Sequence, residues 1–340
     1  MFNGLRVAAL LAASTLWANE STYDRPYAER EAVQAYIAEL VAEHGFEADA
    51  LNALFAQAEL RTDIIERISK PAEKVWTWGR YKNLLVDDAR IQAGAEFWRE
   101  HADAFAKAEA DYGVAPEYIV AILGIETRYG EFRGAWRVLD ALMTLGFDYP
   151  PRAAFFKKEL TQFLLLAREE GKDPATLMGS YAGAMGYGQF IPSSYRSYAI
   201  DFDGDGVRDI WENVDDAIGS IANYFVRHKW RGEGPVALAL DDPEDKLRSI
   251  ANQGLKLRHT VADVRALGIA VPAEVANEAR VAAYVLEGNE GDERWLGFHD
   301  FYAITRYNHS HLYALAVEHL ARGIRVTHGQ LELAAAGSTP

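Results

Sequence analysis

The 340-residue chain has no cysteine, so neither a disulfide nor a lipid-modified cysteine anchor is available to it. Basic residues are in deficit. Against 50 Asp and Glu stand 35 Lys and Arg, a formal net charge of −15, where a nucleic-acid partner would call for a basic face. No GxxxxGK[ST] or GxGxxG phosphate motif, low-complexity run or repeat of solenoid length is present. Long apolar runs are missing too. The nearest is the N-terminal MFNGLRVAALLAASTLWA, too short for a comfortable membrane span. One arginine followed by a short apolar stretch ending in small residues reads as a signal peptide over residues 1–18, with an uncleaved anchor as the rival reading. What remains is long enough to bury a large core and to form two or three domains.

Within it, the segment EYIVAILGIETRYG (117–130) opens on Glu117 and then carries a single carboxylate inside its apolar run, Glu126. Pro116 suits the first helical position, and Ile119, Val120, Ile122, Leu123 and Ile125 make the helix apolar on most sides, which places it in a core. An acid at the end of such a helix is partly desolvated. Desolvation disfavours the charged form and lets a Glu hold a proton near neutral pH for use as a general acid. The alternative is a structural ion pair with Arg128 or Arg133.

About fifty residues downstream, SYAGAMGYGQFIPSSY (180–195) interleaves Gly183, Gly186 and Gly188 with hydroxyls and an amide. Glycine lets a backbone approach a ligand closely, and Ser180, Tyr187, Gln189 and Tyr195 supply neutral donors and acceptors, a combination that suits a sugar. A small-residue helix contact followed by a turn at Pro192 is the plainer reading.

A third motif follows. Asp201, Asp203, Asp205, Gly206 and Glu212 satisfy D-x-[DN]-x-[DN]-G-x5-E, with Asp209 at a position often bridged by water and Val207 offering its carbonyl. Hard oxygen ligands select calcium. No second copy of the loop exists, which argues against a paired calcium sensor; a solvated acidic turn is the alternative.

Taken in order and at this spacing, GIETRYG, GSYAGAMGYGQFIPSSY, DFDGDG, ANYF and RYNHS resemble the lytic murein transglycosylase B family over residues 25 to 325 or so. The resemblance implies cleavage of the β-1,4 bond between N-acetylmuramic acid and N-acetylglucosamine in peptidoglycan without water, leaving a 1,6-anhydromuramoyl end. Glu126 would act first as acid and then as base, with the muramoyl C6 hydroxyl as the nucleophile. A hydrolytic muramidase and a non-catalytic, calcium-dependent peptidoglycan-binding protein are the alternatives.

Further site residues follow from the same resemblance, position by position. It implies polar sugar contacts at Ser180 and Gln189, an aromatic beside the catalytic Glu at Tyr81, a further aromatic at Tyr224, a site amide at Asn308, and flanking aromatics at Tyr307 and Tyr313. Where family members often carry two arginines after Tyr-Pro, this chain reads Tyr149, Pro150, Pro151, Arg152. Only Arg152 is left to meet substrate carboxylates. The family's longer metal loop ends on a carboxylate just before AIGS, which adds Asp216 to Asp201, Asp203, Asp205 and Val207, with Asp215 and Glu212 as other last ligands. Calcium is then a structural ion, and no organic cofactor is implied. The expected partners are peptidoglycan glycan strands and cell-wall synthesis or remodelling proteins, for a periplasmic, non-lipidated monomer.

The expected fold is mainly α (α+β). A lysozyme-like helical core over 90–235 is preceded by an accessory helical region over 19–89, where Val33, Tyr36, Ile37, Leu40, Val41, Leu51, Leu54 and Phe55 have helical spacing. A small β-containing insertion over 236–300 is read from VAAYVLEG, the GNEGD turn and RWLGFHDFYAITRY. Residues 301–325 return to the core, with a last helix near 309–322, and 326–340 form a C-terminal tail.

Overall fold

In the computed structural model residues 25–70 and 76–337 are described, and the chain divides into two units, Met1–Leu60 and Arg61–Pro340. The signal-peptide reading of residues 1–18 lies outside the described residues. Among the described residues no helix is long and apolar enough to cross a membrane.

The first unit holds helices α1 (Glu31–His44) and α2 (Ala48–Phe55). Their apolar stripes bury Val33, Tyr36, Ile37, Leu40, Leu51 and Phe55, and Tyr36 stacks on Phe55 with ring centroids 6.2 Å apart.

The second unit begins earlier than the accessory region was expected to end. Helix α3 (Thr62–Ile68) belongs to it because the Arg61 amide donates to Thr144 Oγ1 at 3.0 Å and Trp136 Nε1 donates to Asp63 Oδ2 at 2.9 Å. Helix α4 (Trp78–Leu85) belongs there too, with Trp78 and Tyr81 inside the main core. The helices that follow are α5 (Asp88–Glu100), α6 (Ala102–Tyr112), α7 (Pro116–Thr127), α8 (Val138–Phe147), α9 (Ala153–Glu169), α10 (Pro192–Tyr198), α11 (Val214–Arg227), α12 (Val261–Ala266), α13 (His299–Tyr307) and α14 (His311–Gly337).

Helix α7 starts on Pro116 and is apolar nearly all round, with Ile119, Val120, Ile122 and Leu123 fully buried. Such a helix is stable only if covered on every side. Helices α5, α11 and α14 pack against it, and α14 contributes Leu315, Ala316, Val317, Leu320, Ala321 and Ile324 to the same core.

Two small antiparallel sheets complete the unit. Strand β1 (Trp136–Arg137) pairs with β2 (Met178–Gly179), and the larger sheet runs β3 (Ala237–Ala239), β6 (Asp292–Gly297), β5 (Arg280–Glu287), β4 (His259–Thr260). Alternate residues of β5 serve different cores. Ala282, Tyr284 and Leu286 face the helices, while Val281, Ala283 and Val285 join a satellite cluster with Leu247, Val261, Val264 and Phe298. A strand covered on both faces reads as one continuous apolar run, which is why AAYVLE shows no alternation.

Two readings are corrected here. Strand β6 stops at Gly297, and HDFYAITRY is helix α13 rather than strand. Phe301, Ala303, Ile304 and Thr305 are buried at helical spacing, and the Asp300 carboxylate accepts from the Arg231 and Gly232 amides at 2.9 and 2.8 Å. Tertiary packing overrides the local β-like composition. The expected tail is likewise helical as far as Gly337; past residue 325, His328 stacks on Trp98 with ring centroids 4.1 Å apart.

Burial also sets an acid limit. His319 of α14 sits between Trp78 and Trp295, its ring 5.2 and 5.0 Å from theirs, with a buried Nε2 that has no hydrogen-bond partner among the described residues. Burial, helped by the nearby positive Lys82, pulls its pKa from 6.5 to about 4. The native state therefore binds fewer protons than the unfolded chain between those values, and stability falls as pH drops through that window. His319→Phe should flatten the melting temperature between pH 6.5 and 4 relative to the parent, a difference on the order of 3 kcal/mol at the acid end.

Candidate active site

Glu126 is the next-to-last residue of α7 and is half-buried. Beyond Thr127 the chain takes the left-handed conformation at Arg128 (φ 49°) and Tyr129 (φ 61°), then Gly130 (φ 95°), three positions in a row that turn the backbone sharply away from the helix. Strain of this kind persists only where surroundings hold it. Tyr129 Oη donates to the Arg90 carbonyl at 2.7 Å and lies 2.5 Å from where β-carbons at Gly94 and Gly124 would stand. A β-carbon at Gly130 would stand 2.1 Å from the Tyr187 ring, so the turn and the glycine segment fit only without a side chain there.

The carboxylate meets the C-terminal helices. Tyr313, in the first turn of α14, donates from Oη to Glu126 Oε1 at 2.6 Å. Tyr307, the last residue of α13, stacks against Tyr313 with ring centroids 6.5 Å apart and planes within 8°, and it donates from Oη to the Gly188 carbonyl at 2.5 Å. Both phenol pKa values are pushed well above 10 by burial and by the Glu126 charge. They therefore remain hydrogen-bond donors at any physiological pH. Tyr81 adds to the upward push on Tyr313, which places it in the same group. Tyr224 completes the aromatic wall, 4.7 Å from the Tyr307 ring, with its Oη on the Arg306 carbonyl at 2.6 Å.

The glycine segment forms the opposite side. Thr127 Oγ1 donates to the Tyr187 carbonyl at 3.0 Å and accepts from the Gly130 amide at 3.0 Å, tying segment to helix. Gln189 has a left-handed φ of 50° and donates from Nε2 to the carbonyls of Gly186 and Arg133, at 3.0 and 3.2 Å. Its Oε1 has no partner among the described residues. Ser180 Oγ accepts from the Ala182 and Ala184 amides at 3.3 and 3.0 Å and so shapes the loop. Asn308 is the C-cap of α13. Arg152 is held differently. Its guanidinium lies over Phe155 and Phe156, 4.5 and 4.9 Å from the ring centroids.

The acidic loop adjoins this site. Asp201, Asp203 and Asp205 each bring a carboxylate oxygen within 4.8 Å of the others, held by bonds from the Gly204, Asp205, Gly206 and Val207 amides. Asp216 is fully buried and accepts from the Phe202 and Asp209 amides, both at 2.7 Å. It braces the loop from inside. Glu212 points elsewhere: Arg133 Nη1 pairs with Glu212 Oε2 at 3.1 Å and also bonds the Trp211 carbonyl. The three converging carboxylates are a hard, oxygen-only donor set of the kind calcium takes.

Two further residues prove central to the assembly: Thr127, which the sequence does not single out, and Arg133, read there as a partner of Glu126 but found on Glu212. The guanidinium of Arg133 also lies 5.0 Å over the Tyr187 ring. Neither carries a spacing signal, because each acts on backbone groups distant in the chain.

The transglycosylase SLT domain family matches residues 28–322. The chain belongs to that family. It is 40% identical over 314 residues to the membrane-bound lytic murein transglycosylase B of Escherichia coli K12, covering 89% of this chain and 85% of that protein. The catenated lytic transglycosylase SltB1 of Pseudomonas aeruginosa superposes with a TM-score of 0.85 at 44% identity, over 89% of this chain and all of that one. The lytic transglycosylase Slt35 of E. coli, solved in complex with calcium, gives a TM-score of 0.79 at 38% identity, covering 90% and 95%. Members of this transglycosylase family share the lysozyme-like, mostly helical architecture seen here.

The close fit at Gly130 is testable. Gly130→Ala forces both an unfavourable φ and a clash with Tyr187, so it should cost about 2 kcal/mol in urea unfolding and lower activity in the protein that remains folded. Unchanged stability and turnover would contradict the packing described.

Proposed function

We propose that Glu126 carries both proton transfers of a lytic murein transglycosylase reaction in this chain. The enzyme class follows from family membership and from 40% identity across most of the chain; the bond from Tyr313 to Glu126 supports the assignment of the acid. Ordinary glycosidases place two carboxylates about the scissile bond, one as acid and one as nucleophile or base. Here the other dense acidic group is bonded into its own loop.

Glu126 then serves twice. With Oε1 accepting the hydrogen bond from Tyr313, Oε2 gives its own proton to the glycosidic oxygen as the bond to muramoyl C1 breaks. The resulting carboxylate takes the proton of the C6 hydroxyl while that oxygen bonds C1. The product carries a 1,6-anhydro ring, Glu126 is protonated again, and no water is consumed. Tyr313 remains a donor throughout and fixes the carboxyl plane. Gln189 Oε1, Ser180 and Asn308 offer neutral contacts for acetamido and hydroxyl groups, and Tyr81, Tyr224 and Tyr307 offer apolar faces. Arg152 is assigned to substrate carboxylates further along the strand. Replacing Glu126 by Gln keeps shape but removes the transferable proton, and should lower cleavage of purified sacculi by a factor on the order of hundreds without shifting the melting temperature. A folded Glu126→Gln enzyme with parental activity would sink the assignment.

Calcium is proposed as a structural ion held by Asp201, Asp203, Asp205, the Val207 carbonyl and Asp216, where a divalent charge relieves repulsion among converging carboxylates. The relative solved with calcium supports this reading. Glu212 is assigned to Arg133 instead. A periplasmic address, with residues 1–18 as leader, fits a murein substrate. The melting temperature should rise with calcium concentration, and Asp203→Ala should remove that rise, while turnover of folded protein changes little. Calorimetry showing no calcium binding would end this assignment.

A further inference from the structure

The two segments that close the site continue beyond it. Arg133 meets Gln189, Gly134 lies against the Gly179–Ser180 peptide so closely that a β-carbon would stand 2.0 Å from the Gly179 carbonyl, and Trp136 pairs with Gly179 in the β1–β2 sheet. These contacts step along both strands from the Gln189 end to an aromatic pair. There Tyr181 and Trp136 meet edge to face, ring centroids 6.1 Å apart at 80°.

The pair is built rather than incidental. Trp136 Nε1 donates to Asp63, Asp63 is paired with Arg61 at 3.1 Å, and the Arg67 guanidinium lies 5.1 Å over the Trp136 ring. The indole and Arg61 bonds hold the Asp63 carboxyl below its ordinary range. Tyr181 nevertheless stays 36% exposed, and Phe132 on the same run is 59% exposed. Tyr181 and the half-buried Trp136 thus form one aromatic face on a braced support.

We propose that Tyr181 and Trp136 form a platform for a sugar ring of the glycan strand, beyond the two sugars whose bond is cut. Tyr181 directly follows Ser180 and Trp136 is paired with Gly179, so the platform stands beside the Ser180 loop and within reach of a strand bound there. Its chemistry suits a sugar, with apolar ring faces for the C–H side and charged groups of both signs, Asp63 and Arg67, beside it for hydroxyls. The inference rests on the murein reading of the same groove. Through this platform the enzyme would favour long strands over short ones.

The test uses calorimetric titration of Glu126→Gln protein with peptide-free glycan, comparing a tetrasaccharide with strands several times longer. The parent should bind the long strands more tightly. Adding Tyr181→Ala should cut long-strand affinity about tenfold, leaving tetrasaccharide affinity and melting temperature unchanged, and Tyr181→Phe should restore it. Equal binding of both lengths by the parent, no effect of Tyr181→Ala, or an equal loss at both lengths would overturn the proposal. So would a loss confined to peptide-bearing strands, which would assign the pair to the stem peptide. Cleavage of the tetrasaccharide by Glu126→Gln would overturn the role of Glu126 while leaving the affinity ratio, and hence the platform, separately measurable.

Discussion

The hydrogen bond from Tyr313 to Glu126 joins residues 187 positions apart, and it ties the end of α7 to the start of α14. Helix α7 carries the acid, and it is so apolar that it needs α14 and α5 against it to be stable at all. The same packing that hides α7 from water brings Tyr313 to the carboxylate. Covering the core and assembling the site are therefore one event, and a chain lacking the last helices would lose both.

From that bond the remaining geometry spreads through backbone groups. Tyr307 holds the Gly188 carbonyl, Thr127 holds the Tyr187 carbonyl, and the Tyr187 amide donates to the Ile210 carbonyl at 3.0 Å. Arg133 closes the circuit by reaching Trp211 and Glu212. The glycine segment is thus gripped from the acid helix, from the aromatic wall and from the end of the acidic loop. Ordering that loop steadies the segment through the Tyr187–Ile210 and Arg133–Trp211 bonds.

Much of this is legible in the sequence where a residue contradicts its local surroundings. An acid inside an apolar helix singles out Glu126, and oxygen ligands at fixed spacing single out Asp201, Asp203 and Asp205. The resemblance carries Tyr313 and Tyr307 to positions the structure brings beside Glu126, and it also names Arg152, whose guanidinium lies over Phe155 and Phe156. Other features depend on the fold alone. The stretch 299–307 is aromatic and β-branched enough to pass for strand, and only its buried face at helical spacing makes it α13. Glu212 satisfies the calcium motif yet turns to Arg133, a partner 79 residues away that no local pattern reveals. Thr127 is invisible for the same reason.

The claim that one carboxyl works twice, with the substrate as its own nucleophile, is tested most directly by the mass of the glycan ends released from purified sacculi in isotopically labelled water. The account predicts anhydromuramoyl ends, lighter than hydrolysis products by one water and free of solvent label. Ends that are hydrated and labelled would show that Glu126 activates water instead, and would contradict it.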